Sequence, residues 1–149
     1  MVKHTKYWFL KNAINLMRIS IGVVYVWFGM LKFFPALSPA ELLAERTIEM
    51  AFFNLVEGHV YILFLAGWEV MLGVAFLLNY KLKLMIPVMF GHMLCTIMPA
   101  FTAPEEVFNF FPYGLTLTGQ YIVKNFVLVT AALFLLKYSE QETAEIEAA

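Results

Sequence analysis

Residues Ile14 to Phe34 read INLMRISIGVVYVWFGMLKFF. A bilayer core of about 30 Å is crossed by roughly 20 mostly apolar residues in helical conformation, and this run has that length before Pro35 stops it. Three more stretches qualify, from about His59 to Leu78, Leu82 to Phe101 and Leu117 to Leu136. The whole chain of 149 residues is 62% hydrophobic and 14% charged, with a mean hydropathy of +0.76. A soluble domain averages about 45–50% apolar and about 25% charged, and one this small lacks the interior volume to hide the excess. The expected fold class is therefore all-α, an integral membrane four-helix bundle with a single transmembrane domain over residues 14–137. Residues 1–13 precede it as a cytoplasmic segment, and 138–149 follow as an acidic tail expected to be disordered.

Lys3, Lys6 and Lys11 precede the first run, as basic residues precede a secretory signal. The run is longer than the roughly 7–15 residues of a signal core, and no A-x-A-like site follows, so it is read as a retained span. Orientation follows the distribution of Lys and Arg near span ends. The N-terminal segment and first span carry Lys3, Lys6, Lys11 and Arg18, the turn 79–83 carries Lys81 and Lys83, and Lys137 follows the last span. The two opposite loops hold only Arg46, beside Glu41, Glu45, Glu49, Glu57, Glu105 and Glu106. Both termini are expected in the cytoplasm.

The first outer loop contains Ser38-Pro39-Ala40-Glu41, a helix start with a Ser cap, Pro at the first position and Glu three residues on. Glu41, Glu45 and Glu49 then recur opposite Leu42, Leu43 and Ile48, which predicts an amphipathic helix on the outer surface. The second outer loop concentrates Phe101, Phe108, Phe110, Phe111 and Tyr113, as in a segment dipping back into the interface.

A charge at mid-bilayer costs at least about 2.5–3.5 kcal/mol, so such residues normally face the bundle interior and pair. Five ionisable residues fall within the spans: Arg18, Lys32, Glu69, His92 and Lys124. At about 100° per residue, Arg18, Gly22, Tyr25, Gly29 and Lys32 share one stripe of the first helix. Ile62, Glu69, Gly73, Phe76 and Tyr80 share a stripe of the second, His92, Thr96 and Pro99 of the third, and Gln120, Lys124, Leu128 and Ala131 of the fourth. Small residues mark close helix approach, which turns these stripes toward the other helices. Glu69 and His92 fall near mid-membrane, Lys32 and Lys124 in the outer part, and Arg18 near the inner edge, in position to snorkel to headgroups. Glu69 is expected to pair with a lysine, with His92, or with both.

Other chemistries find no footing. Net charge is −1, which gives no electrostatic case for a nucleic-acid partner. Cys95 is the single cysteine, so no internal disulfide forms. No H-E-x-x-H or paired-cysteine spacing indicates a metal, and no G-x-S-x-G elbow indicates a serine hydrolase.

Arg18-Ile-Ser-Ile-Gly22-Val-Val-Tyr-Val-Trp27-Phe-Gly29-Met-Leu-Lys32 resembles the opening helix of the DoxX family, with its R-x-x-x-G start and G-x-x-K ending. Trp68-Glu69-Val-Met-Leu-Gly73 resembles that family's second-helix glutamate and glycine, and Gln120-Tyr-Ile-Val-Lys124-Asn125 its last helix. The long loop between spans one and two departs from the shortest members and resembles a branch with an enlarged periplasmic segment. The resemblance implies a four-helix protein of the bacterial inner membrane, some of whose relatives are small subunits of a thiosulfate:quinone oxidoreductase.

The leading expectation is a redox-associated subunit holding a quinone or a small anion, with Glu69 and His92 exchanging protons and Lys32, Lys124, Tyr25, Gln120 and Arg18 binding the ligand. A partner subunit, in the membrane or the periplasm, would supply electrons. Two rivals belong to other classes: a proton-coupled transporter or channel acting as a homo-oligomer, and a structural anchor subunit of a membrane complex.

Overall fold

The computed structural model describes residues 2–34 and 58–147. The surface helix expected after Ser38 lies outside the described residues. In chain order the elements are α1 (Val2–Leu31), α2 (Gly58–Leu77), α3 (Leu82–Ile97), the single turns α4 (Pro99–Thr102) and α5 (Pro104–Val107), the strands β1 (Phe108–Phe110) and β2 (Gly114–Leu115), and α6 (Leu117–Glu147). Four helical windows, Asn12–Leu31, Val60–Leu77, Leu82–Thr102 and Leu117–Ser139, are long and apolar enough to cross a membrane. The chain is a multi-pass, all-α membrane bundle. Large apolar side chains such as Phe64, Leu94, Phe126 and Val127 stand exposed on its outside, the surface a bilayer solvates.

The α1–α2 pair is the closest in the bundle. A Cβ on Gly73 would lie 2.6 Å from the backbone nitrogen of Val26 and 2.8 Å from the carbonyl oxygen of Gly22. One on Gly22 would lie 2.9 Å from the Gly73 oxygen. The two glycines let the backbones touch, as small residues do at membrane helix crossings. Below this contact a buried apolar core joins Ile14, Ile21, Leu72, Phe76, Ile86, Met89, Ala132 and Leu135 from all four spanning helices.

Local chemistry fixes the connections. α2 ends in a Schellman turn: Asn79 takes the left-handed conformation (φ 57°), and the amides of Asn79 and Tyr80 bond back to Phe76 O and Ala75 O at 3.2 and 2.8 Å. α3 begins at once, completing the tight turn expected at residues 79–83. The α3–α6 connection carries the aromatic cluster noted in the second outer loop. It folds into a hairpin with Phe108 opposite Leu115 and Phe110 opposite Gly114. Gly114 is needed there, because a Cβ would lie 2.8 Å from that of Phe110. Thr116 then caps α6: its hydroxyl accepts the Gly119 amide at 3.1 Å and donates to Glu106 O at 2.7 Å.

Two boundaries differ from the sequence reading. The first spanning helix ends at Leu31, and Lys32, Phe33 and Phe34 follow in tight i→i−3 turns ahead of Pro35. The tail expected to be disordered continues α6 as helix through Glu147. Its Glu, Ala and Gln content consists of strong helix formers, and a helix already nucleated in the membrane extends at no further nucleation cost.

Candidate functional site

Four of the residues singled out by the sequence meet in one chain of close polar contacts at the middle of the bundle. Glu69 sits on α2, eleven residues from Gly58 and eight from Leu77, about 12–16 Å from either end at 1.5 Å per residue. It is 7% exposed and the one charged residue in the buried core of the described residues. Lys32 Nζ lies 2.5 Å from Glu69 Oε2, and His92 Nε2 lies 3.2 Å from Glu69 Oε1. The far ring nitrogen, His92 Nδ1, is 3.3 Å from the Tyr25 hydroxyl. The Tyr25 and His92 rings also meet edge-on, with centroids 5.7 Å apart.

The glycine register makes this convergence possible. Gly29 sits against α2 beside Glu69 itself: a Cβ there would fall 3.0 Å from Glu69 Cβ and 2.9 Å from Val70 Cγ2. Helix α1 ends two residues later, so the Lys32 side chain can reach Glu69 while its ammonium also approaches Phe28 O at 3.4 Å. A buried carboxylate with one oxygen on an ammonium and the other on an imidazole satisfies the rule that intramembrane charges pair. One ring nitrogen is left over. His92 Nε2 is buried 3.2 Å from Glu69 Oε1 without an aligned hydrogen bond.

The other predicted residues lie elsewhere. Lys124 is exposed, with its ammonium 5.2 Å from the centroid of the Tyr121 ring. Tyr121 in turn packs on Phe28, with centroids 6.3 Å apart. Gln120 is exposed as well. The residue that α6 turns toward α3 is Asn125, whose Nδ2 donates to Thr96 Oγ1 at 3.2 Å. Sequence reasoning had Asn125 beside the lysine it chose; one residue of rotation, about 100°, separates the two faces.

Arg18 does not join the chain. Its Nη1 donates to Leu77 O at 2.7 Å and also bonds Phe76 O. These are carbonyls at the C-terminal end of α2, where acceptors lack intrahelical donors and the helix dipole favours a cation. Arg18 is thus a helix cap supplied by a neighbouring helix. Arg18→Gln should cost about 1.5–3 kcal/mol, the range for a hydrogen bond to a charged group, a loss that thermal unfolding in detergent measures.

Among the described residues no cluster of three or more His, Cys, Asp or Glu side chains is placed to hold a metal ion. Fold and site together define a small multi-pass membrane bundle built around a buried Lys–Glu–His–Tyr chain. No family model, curated protein or solved structure matches this chain.

Proposed function

We propose that the protein is a redox-associated, DoxX-like subunit of the bacterial inner membrane that binds a quinone headgroup beside Glu69 and His92. The carrying observation is that Glu69 is shared between Lys32 and His92, with Tyr25 on the far imidazole nitrogen. Interconversion of a quinone and its hydroquinone moves two electrons and two protons. A carboxylate, an imidazole and a phenol in one chain supply proton acceptors and donors at the ring oxygens, and a partner subunit supplies or removes the electrons. The Arg and Lys residues at the end of the bundle bearing the 79–81 turn favour a cytoplasmic location for that end and for both termini.

Charge balance favours quinone over a small anion. Lys32 is already neutralised by Glu69 at 2.5 Å, and Lys124 stands apart over Tyr121. An anion would have to displace Glu69 from its ammonium. A neutral carbonyl needs only a donor, and His92 Nε2, which has no aligned partner, is one in the tautomer whose Nδ1 accepts from the Tyr25 hydroxyl. The completeness of the Lys32–Glu69 pairing also suits the anchor reading, in which the charges only hold the helices together.

A titration separates the two. Trp68 neighbours Glu69 in sequence and stacks on Phe64, with centroids 6.3 Å apart. In a background lacking the exposed Trp8 and Trp27, a short-chain benzoquinone should quench Trp68 saturably. Glu69→Gln should weaken the apparent Kd at least about tenfold, or about 1.4 kcal/mol. Quenching that never saturates, or that is the same in Glu69→Gln, would leave the anchor reading standing.

A further inference from the structure

We propose that the Glu69 chain is a one-sided site, which exchanges its ligand and protons with the face of the membrane where α1 ends and is closed to the face of the 79–81 turn. The inference rests on the reading of the cluster as an exchanging site and adds the direction from which it is served.

On the side of the turn, the space between the Glu69 level and the Arg18 level is filled by Ile21, Leu72, Phe76, Ile86 and Met89, each 0–2% exposed. They come from α1, α2 and α3 and belong to one contiguous apolar cluster. From Glu69 to Phe76 is seven residues of α2, about 10 Å of helix. Interiors of this kind pack at crystal-like density, and a water or proton in transit would find no polar partner through that thickness. Past the plug, Arg18 is tied to Phe76 O and Leu77 O at the α2 terminus. It stabilises the closed end and offers no stepping stone to Tyr25.

The opposite side is built differently. Helix α1 stops at Leu31, so Lys32 occupies the first position past its end. Helix α2 extends eleven residues beyond Glu69 in that direction, and α3 continues to Ile97. Ile62 and Ala66, which prolong the α2 stripe, are buried, so the approach is no open funnel. Among the described residues, the member of the chain nearest the end of α1 is Lys32, whose side chain bends back to Glu69 and Phe28 O and keeps 11% exposure. A ligand or a proton exchanging with Glu69 therefore meets Lys32 first. One closed end also argues against the through-route that a transporter or channel reading requires.

Cysteine accessibility tests the direction whichever way the protein is oriented in the membrane. In a Cys95→Ser background, single variants Lys32→Cys, Glu105→Cys and Lys81→Cys are reconstituted in vesicles of uniform orientation. A membrane-impermeant thiol reagent is then applied to one side at a time. Glu105 and Lys81 are exposed at opposite ends of the bundle and mark the two faces. Lys32→Cys should react from the Glu105 side at least about ten times faster than from the Lys81 side. Equal rates, faster reaction from the Lys81 side, or no reaction from either overturns the proposal.

The unmodified protein gives an independent reading should Lys32→Cys fail to fold. Vesicles containing it and a trapped pH dye should dissipate a proton gradient no faster than empty vesicles. A leak abolished by Glu69→Gln overturns one-sidedness. Failure here leaves quinone binding untouched, since quenching of Trp68 and its loss in Glu69→Gln do not depend on the side of access.

Discussion

Lys32→Met should be the most destabilising single change at the site, by about 3–5 kcal/mol, the usual cost of breaking a buried ion pair by removing one partner. The reason is geometric. Lys32 Nζ lies 2.5 Å from Glu69 Oε2 and both side chains are about nine-tenths buried, so removal of the ammonium strands a carboxylate at mid-membrane. His92 holds only the other oxygen, at 3.2 Å without an aligned hydrogen bond, and cannot replace the lost donor. Removing both charges in Lys32→Met/Glu69→Gln should recover most of the loss, because no uncompensated charge remains. Lys124→Met serves as the control: that ammonium is exposed and touches Tyr121, so the change should stay within about 0.5 kcal/mol. Reversible unfolding in bicelles measures all three. A Lys124→Met penalty as large as that of Lys32→Met would mean that Lys32 is not the particular lysine on which the buried acid depends.

Gly73→Val is the second large effect, acting through backbone and not charge. Any Cβ at position 73 falls 2.6 Å from the Val26 nitrogen and 2.7 Å from Val26 Cγ2, and the branched side chain adds more atoms at the same place. A backbone nitrogen cannot rotate away as a side-chain tip can, so α1 must move outward. Overpacking typically costs about 1–3 kcal/mol, and this site should lie at or above the top of that range. The displaced helix carries Lys32 and Tyr25, so quinone quenching should fall together with stability. At Gly67 and Gly91 an added Cβ meets nothing within 4 Å, so Gly67→Val and Gly91→Val should leave both nearly unchanged. If Gly73→Val matched these controls, the α1–α2 crossing would not be set by the glycine pair.

The parts of this architecture legible in the sequence are those written in period and composition. Span lengths follow from apolar runs. The shared stripe of Gly22, Tyr25, Gly29 and Lys32 follows from helical spacing, and in the structure it faces the Glu69–Gly73 stripe. His92 joins Glu69 because both fall at equal depth on neighbouring antiparallel helices. What the sequence hid was rotation and side-chain-to-backbone bonding. Helix α6 is apolar nearly all round, so its pattern does not say whether Lys124 or Asn125 faces inward; the structure turns Asn125 to Thr96 and leaves Lys124 exposed. Arg18 satisfies carbonyls that carry no residue-type signature, so its capping of α2 had no signal beyond its place on the stripe. The Thr116 cap and the Gly114 hairpin follow known local rules, and both lie within the aromatic stretch whose composition suits the interface. Helix continuing to Glu147 was visible in propensity and masked by charge.

The central claim, that the buried chain holds a quinone and does not merely brace the helices, is tested most directly by native mass spectrometry after extraction in mild detergent. Wild-type protein should carry a bound quinone that Glu69→Gln loses while remaining folded. Wild-type protein free of quinone even after incubation with excess, or a Glu69→Gln variant that retains it fully, would contradict that claim.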